Sequence, residues 1–118
     1  MTPQTASLAQ QNKARLAPLR AAMYDFSQAG VRAALRAISS PDAVFHACHP
    51  FGDLRGAEAF YNMLYGPLFA AVPDLERRDY IVTAGPTAEG ASWVGCAGYY
   101  TGRFTAPWLD IPPTGQIM

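Results

Sequence analysis

A chain of 118 residues has the length of one domain and buries enough surface to need neither disulfides nor metals. Half of it is apolar and only 15% is charged, which excludes a disordered chain. Nine basic and nine acidic residues cancel, no basic stripe interleaves with aromatics, and no apolar run reaches the roughly 20 residues of a membrane helix, so neither nucleic acid nor a membrane is expected as a partner.

The N-terminal segment, MTPQTASLAQQNKARL, lacks the charged-then-apolar order of a secretory signal. Residues 7–27 are rich in Ala, Leu, Gln and Arg and read as helix. Leu8, Leu16, Leu19, Met23 and Phe26 form its apolar stripe. Pro18 lies inside that stripe and is expected to kink the helix or start a new one. Residues 28–30 read as a break. Residues 31–38 read as a second helix, with Val31, Ala34, Leu35 and Ile38 at i, i+3, i+4 and i+7. Ser39-Ser40-Pro41-Asp42 is stop-and-turn chemistry.

Residues 43–48 read as a short strand, and 51–56 as a loop with two glycines. The strand's pleat separates Val44, His46 and Cys48 from Phe45, Ala47 and His49. Residues 57–72 read as a further apolar helix, bent or split at Gly66-Pro67 and ended by Pro73-Asp74. Residues 79–84 form a strand and 85–90 a turn. Residues 91–104 then read as one long strand, with Trp93, Tyr99 and Arg103 on one face and Cys96, Tyr100 and Phe104 on the other. Its glycines predict bending or a bulge, which would curl the sheet around a cavity. Gln116-Ile117-Met118 reads as the start of another strand. So long a strand asks for more partners than the sequence supplies, so the domain is expected either to lack its last strands or to have an edge completed by a second copy. The order predicts an α+β domain with helices on one face of a curved, mostly antiparallel sheet.

The richest chemistry lies in HACHPFGDLRG, residues 46–56. His46 and His49 are i, i+3 on an extended segment and point to opposite faces, so a shared metal is not expected. His49 is assigned to the pocket as a candidate catalytic proton carrier because Pro50 and Gly52 fix the backbone beside it, the alternative being a surface or hydrogen-bonded core histidine. Asp53 is a general base if desolvated, or a turn residue paired with Arg55. Asp74 reads as a turn residue and Arg77-Arg78 as a solvated pair, while Asp110, near the mouth of the sheet, stays open as a polar pocket group. Tyr61, Trp93 and Tyr99 would line an apolar slot with a few convergent donors, joined by His46 and Trp108. Arg103 would orient an anionic group if its face points inward, whereas an outward face would serve as a dimer surface. Cys48 and Cys96 match no zinc spacing and read as buried thiols of a reducing, cytoplasmic protein.

The succession of His49-Pro50, Gly52, Gly56, a helix ending in Val72-Pro73-Asp74-Leu75, a G-x-F (Gly102, Phe104) and Ile111-Pro112-Pro113-Thr114-Gly115 resembles the SnoaL-like polyketide cyclases and ester cyclases of the nuclear transport factor 2-like superfamily. The resemblance covers residues 10–118. It implies a cone-shaped half-barrel enclosing an apolar pocket, and homodimers formed through the outer face of the sheet. It also implies cofactor-free acid/base chemistry on a small, apolar, carbonyl-containing ligand, whether cyclisation, isomerisation or hydrolysis. The acid and histidine of such cyclases lie on strands beyond the I-P-P-T-G segment and have no counterpart up to Met118. The alternative is a non-catalytic binding or dimerisation module.

Overall fold

The computed structural model describes residues 7–118. Helix α1 spans Leu8–Tyr24 and opens on a capping box, in which the Ser7 hydroxyl accepts from the Gln10 N–H while the Gln10 side chain accepts from the Ser7 N–H. Pro18 lies inside α1 without dividing it. It costs one helical hydrogen bond, to the carbonyl of Ala14, and the helix-forming residues on either side carry the helix through. Helix α2 (Gln28–Ile38) starts three residues before the expected position. Ser27 caps it, its hydroxyl accepting from the Gly30 N–H at 3.1 Å, so residues 28–30 form its first turn rather than a break.

Strand β1 (Val44–His46) pairs antiparallel with β2 (Asp53–Arg55). The expected loop at 51–56 therefore contains a strand, and the expected strand over 43–48 stops at His46. Cys48 falls in the connection and is exposed, not buried, while Cys96 is half-buried. Phe45 stacks on Phe60 with ring centroids 4.3 Å apart, which fixes the ribbon to the next helical segment.

That segment runs from α3 (Ala57–Phe60) through a π-helical turn (Tyr61–Tyr65) into α4 (Gly66–Ala71). Pro67 has no N–H to donate to Met63, and its ring crowds that carbonyl. The chain widens instead, and the Gly66 N–H bonds to the Tyr61 carbonyl five residues back.

Strands β3 (Glu76–Pro86) and β4 (Ser92–Thr101) form a long antiparallel hairpin. The register slips between Asp79 and Ile81, leaving Tyr80 bulged opposite Gly98 and Ala97. This places Arg77, Asp79, Val82 and Ala84 on the same face as Val94, Cys96, Gly98 and Tyr100. Beyond β4, Gly102 and Met118 exchange backbone hydrogen bonds, so residues 116–118 do begin a further pairing.

The chain is thus α+β, with α1 packed across β3 and β4. Its β-structure is two separate antiparallel ribbons among the described residues. The core joins Met23, Phe26, Val31, Leu35, Tyr65, Leu68, Val72, Leu75 and Phe104. Val31, Val72 and Leu75 are almost wholly enclosed, each contributing about 1.5–3 kcal/mol by burial. Asp74 ties the end of α4 to the end of β4, its Oδ1 accepting from the Arg103 N–H at 2.8 Å. Among the described residues, no helix is long and apolar enough to cross a membrane.

Candidate functional site

The inner face of the hairpin, turned toward α1, carries a charged and hydroxylic cluster. Asp79 has a side chain only 4% exposed, yet both its oxygens are engaged. Oδ2 accepts from Arg20 Nε and Oδ1 from Arg77 Nε, each at 2.8 Å. Burial alone would raise the Asp79 pKa, but the hydrogen bonds from the two guanidinium groups outweigh it and hold the carboxyl below its ordinary value. Burial likewise works against the charge on Arg77, and its bonds to Asp79 and Tyr100 more than restore it.

Arg77 also lies over the Tyr100 ring, 4.9 Å from its centroid. The Tyr100 and Tyr65 hydroxyls meet at 2.7 Å. Tyr65 is delivered by the π-helical turn, the kind of local widening that re-aims a side chain inward. Burial, then the Tyr100 hydroxyl, push Tyr65 well above the ordinary tyrosine range, so it remains a hydrogen-bond donor. Leu16, Leu19 and Met23 of α1 supply the apolar wall. Together these groups line a half-open hollow of about 160 Å³, completed by Cys96.

The residues singled out in the sequence fall elsewhere. His46 Nδ1 and Asp53 Oδ1 meet at 2.7 Å across the β1–β2 register, with side chains 76% and 68% exposed. Asp53 therefore opens a strand and pairs with His46 rather than Arg55. The pair alternates with Phe45, which packs inward, and so stands on the solvent face of its ribbon. His49, before a cis Pro50, is exposed. Tyr61 is buried beneath Arg32, whose guanidinium lies 5.3 Å from the ring centroid, and its hydroxyl has no partner among the described residues. Trp93 and Tyr99 are exposed on the outer face of the hairpin, the Trp93 indole donating to the Pro86 carbonyl at 3.2 Å. The structure does not bring Tyr61, Trp93 and Tyr99 together around one slot. The guanidinium of Arg103 donates to the Gly115 carbonyl at 2.7 Å, and Arg103 does not line the hollow. Trp108 packs against the core beside Phe51, and its indole N–H is buried without a partner among the described residues. Asp110 occupies a tight exposed turn between Trp108 and Ile111. Among the described residues, no three His, Cys, Asp or Glu side chains group to hold a metal ion.

Arg20, Tyr65, Arg77, Asp79 and Tyr100 were not legible as a site. Arg77 is no solvated partner of Arg78, because the strand turns the two to opposite faces and only Arg78 is exposed. A larger open trough of about 810 Å³ lies between α1, α2 and the start of β4, with Trp93 at its rim.

The fold as a whole recurs in solved structures. One, a candidate SnoaL-like polyketide cyclase from Jannaschia sp. CCS1, matches with a TM-score of 0.72 at 24% identity over 99% of this chain and 76% of its own. The fold is that of SnoaL-like polyketide cyclases. IdmH, a candidate polyketide cyclase from Streptomyces antibioticus, matches at 0.68 with 22% identity, over 91% of this chain and 75% of its own. AclR, a candidate hydroxylase from Streptomyces galilaeus, matches at 0.65 with 18% identity, over 92% and 72%. The chain matches no family model and no curated protein. In this SnoaL-like fold, the Asp79 cluster sits on the face of the long hairpin that the helices cover.

Proposed function

We propose that this chain binds a small apolar, carbonyl-containing ligand, in a cone-shaped half-barrel of which the β3–β4 hairpin is one wall. One observation carries the reading: hydroxyls, guanidinium groups and an apolar helix face converge on the hollow beside Asp79. A carbonyl oxygen placed there would meet preorganised donors, the arrangement that stabilises negative charge developing on oxygen. Loss of a proton from the neighbouring carbon would then be eased, which suits cofactor-free cyclisation or isomerisation. The similarity in fold to candidate polyketide cyclases supports the same reading.

The second reading, binding without turnover, is favoured by a different observation. Both Asp79 oxygens are occupied by arginines, and His46, His49 and Asp53 stand outside the hollow, so no free base faces it among the described residues. Mass spectrometry of the protein incubated with polyketide esters separates the two. Converted ester, lost in Tyr100→Phe, is the expected result for an enzyme. Retained, unaltered ester is the result for a binding module, and no retention at all overturns both.

We also propose that a second copy covers the outer face of the hairpin, where Tyr80, Ile81, Trp93 and Tyr99 are exposed together. Light scattering is expected to give the mass of two chains, and of one chain in Tyr99→Glu. A single-chain mass for the unaltered protein overturns it.

A further inference from the structure

The two strands of the long hairpin differ in how their free edges are guarded. Strand β3 opens on Glu76, Arg77, Arg78 and Asp79 and carries the bulge at Tyr80. Charges and bulges keep an exposed edge from pairing with another chain. Strand β4 has neither, since Ser92–Thr101 includes no charged side chain, no proline and no skip in its own register. Both of its ends show which backbone groups point outward. At the turn, the Ala91 carbonyl accepts from the Thr87 N–H, so odd-numbered residues turn these groups toward β3. At the far end, Gly102 exchanges hydrogen bonds with Met118, at 3.4 and 2.9 Å. By alternation, the N–H and C=O groups of Ser92, Val94, Cys96, Gly98 and Tyr100 face away from β3. No other strand pairs with β4 among the described residues, and the Cys96 carbonyl meets Arg77 Nη2 only at a long 3.4 Å.

Pairing along this edge has a start, a direction and room to continue. Residues 116–118 lie antiparallel at its far end, through the Arg103–Ile117 bridge and a bond from the Phe104 N–H to the Gln116 carbonyl at 3.0 Å. At Ser92–Val94 the edge borders the open trough of about 810 Å³. Leu16 of α1 and Ala34, Ala37 and Ile38 of α2 form the apolar wall of that trough. Arg15 is its one cation, and no acid lines it among the described residues. An extended strand satisfies both sides, because its main chain bonds to the edge while every second side chain meets the wall. A helix bonds its own backbone internally and would leave the edge unpaired.

We infer that the open edge of β4 is a docking site for an extended segment of another polypeptide, which adds antiparallel to β4 and lays alternate apolar side chains against α1 and α2. The direction is that of residues 116–118, so the C-terminal end of the docked segment reaches the trough and Arg15. The occupant is therefore an uncharged, β-forming segment with a carboxylate near its C-terminal end. The inference does not depend on what the hollow beside Asp79 binds.

The probe is an acetylated peptide of about nine residues, alternating valine and threonine and ending in aspartate, long enough to span Ser92–Tyr100. Two further versions are N-methylated at alternate amides, one in each register. The protein is expected to bind the parent peptide and one methylated version, and to bind the other about tenfold more weakly or worse, because only one set of amides faces β4. Amide exchange at Val94, Cys96 and Gly98 is expected to slow when the parent peptide is added. Val94→Pro removes an outward N–H without touching the pairing with β3, and is expected to lose the binding. The methylated peptides give the same test should that variant fold poorly. No binding of the parent peptide, equal binding of the two methylated versions, or unchanged exchange at those amides each overturns the inference. Undiminished binding to folded Val94→Pro overturns it as well. So does slow exchange at those amides in the protein alone, since a second copy would then already hold the edge.

Discussion

Asp79→Ala is expected to destabilise the protein by about 2–3 kcal/mol, a fall in Tm of roughly 10 °C for a domain of this size. Removing one member of a fully buried ion pair typically costs about 3–5 kcal/mol, because the partner charge stays behind unpaired. The smaller figure applies here because Arg20 is 39% exposed and regains water, whereas Arg77 does not. The pH dependence gives a sharper test. The Asp79 pKa in the folded protein lies below its ordinary value of 3.8, so its stabilisation is complete above that value and is lost as the pH falls through the folded pKa. Protonated Asp79 and alanine both leave the arginines without an anion. Urea midpoints of the two proteins should therefore differ fully near neutral pH and converge below about pH 4. A gap that persists undiminished in acid would mean that Asp79 acts through packing rather than charge.

The sequence carried the architecture further than the site. Periodicity located both N-terminal helices, the interrupted helix at Gly66-Pro67 and the alternation of the last long strand, because each is a local property of residues in contact with one apolar face. The errors were local as well. Ser27 reads as loop until its hydroxyl is seen capping α2, and Asp53–Arg55 is too short to read as a strand without its partner Val44–His46. The site was hidden by a different cause. Arg77 and Asp79, two apart in a strand that opens on four charged residues, Glu76 to Asp79, share a face, and opposite charges at that spacing were the available signal. Read with strict alternation, however, Arg77 and Asp79 would share their face with Ile81 and Thr83. The bulge at Tyr80 shifts the pleat and puts Val82 and Ala84 there instead. The three partners that complete the cluster come from 59, 14 and 21 positions away from Asp79, as Arg20, Tyr65 and Tyr100, a convergence that only the folded chain displays. The attention drawn by His46, His49 and Asp53 followed residue type, and residue type does not report which side of a ribbon meets solvent.

Gly98→Ala is expected to cost more than any other glycine-to-alanine change in β4, about 3 kcal/mol or more. A Cβ at Gly98 would lie 2.2 Å from the Arg78 carbonyl oxygen and 2.8 Å from the Asp79 Cα. Both atoms belong to the backbone of β3 at its bulge, so relief requires the two strands to part. The neighbouring Gly95 is the control. There the nearest atom is in the Trp93 ring at 3.0 Å, and Trp93 is 44% exposed, so the ring can shift at the cost of no more than its exposed hydrogen bond to the Pro86 carbonyl. Gly95→Ala should cost under about 1 kcal/mol, since replacing a strand glycine also removes unfolded-state entropy. Because Asp79 pairs directly with Gly98, parting the strands there also moves its carboxylate relative to Arg20. Equal melting of the two variants in calorimetry would show that β3 and β4 are not held as closely at the bulge as this packing requires.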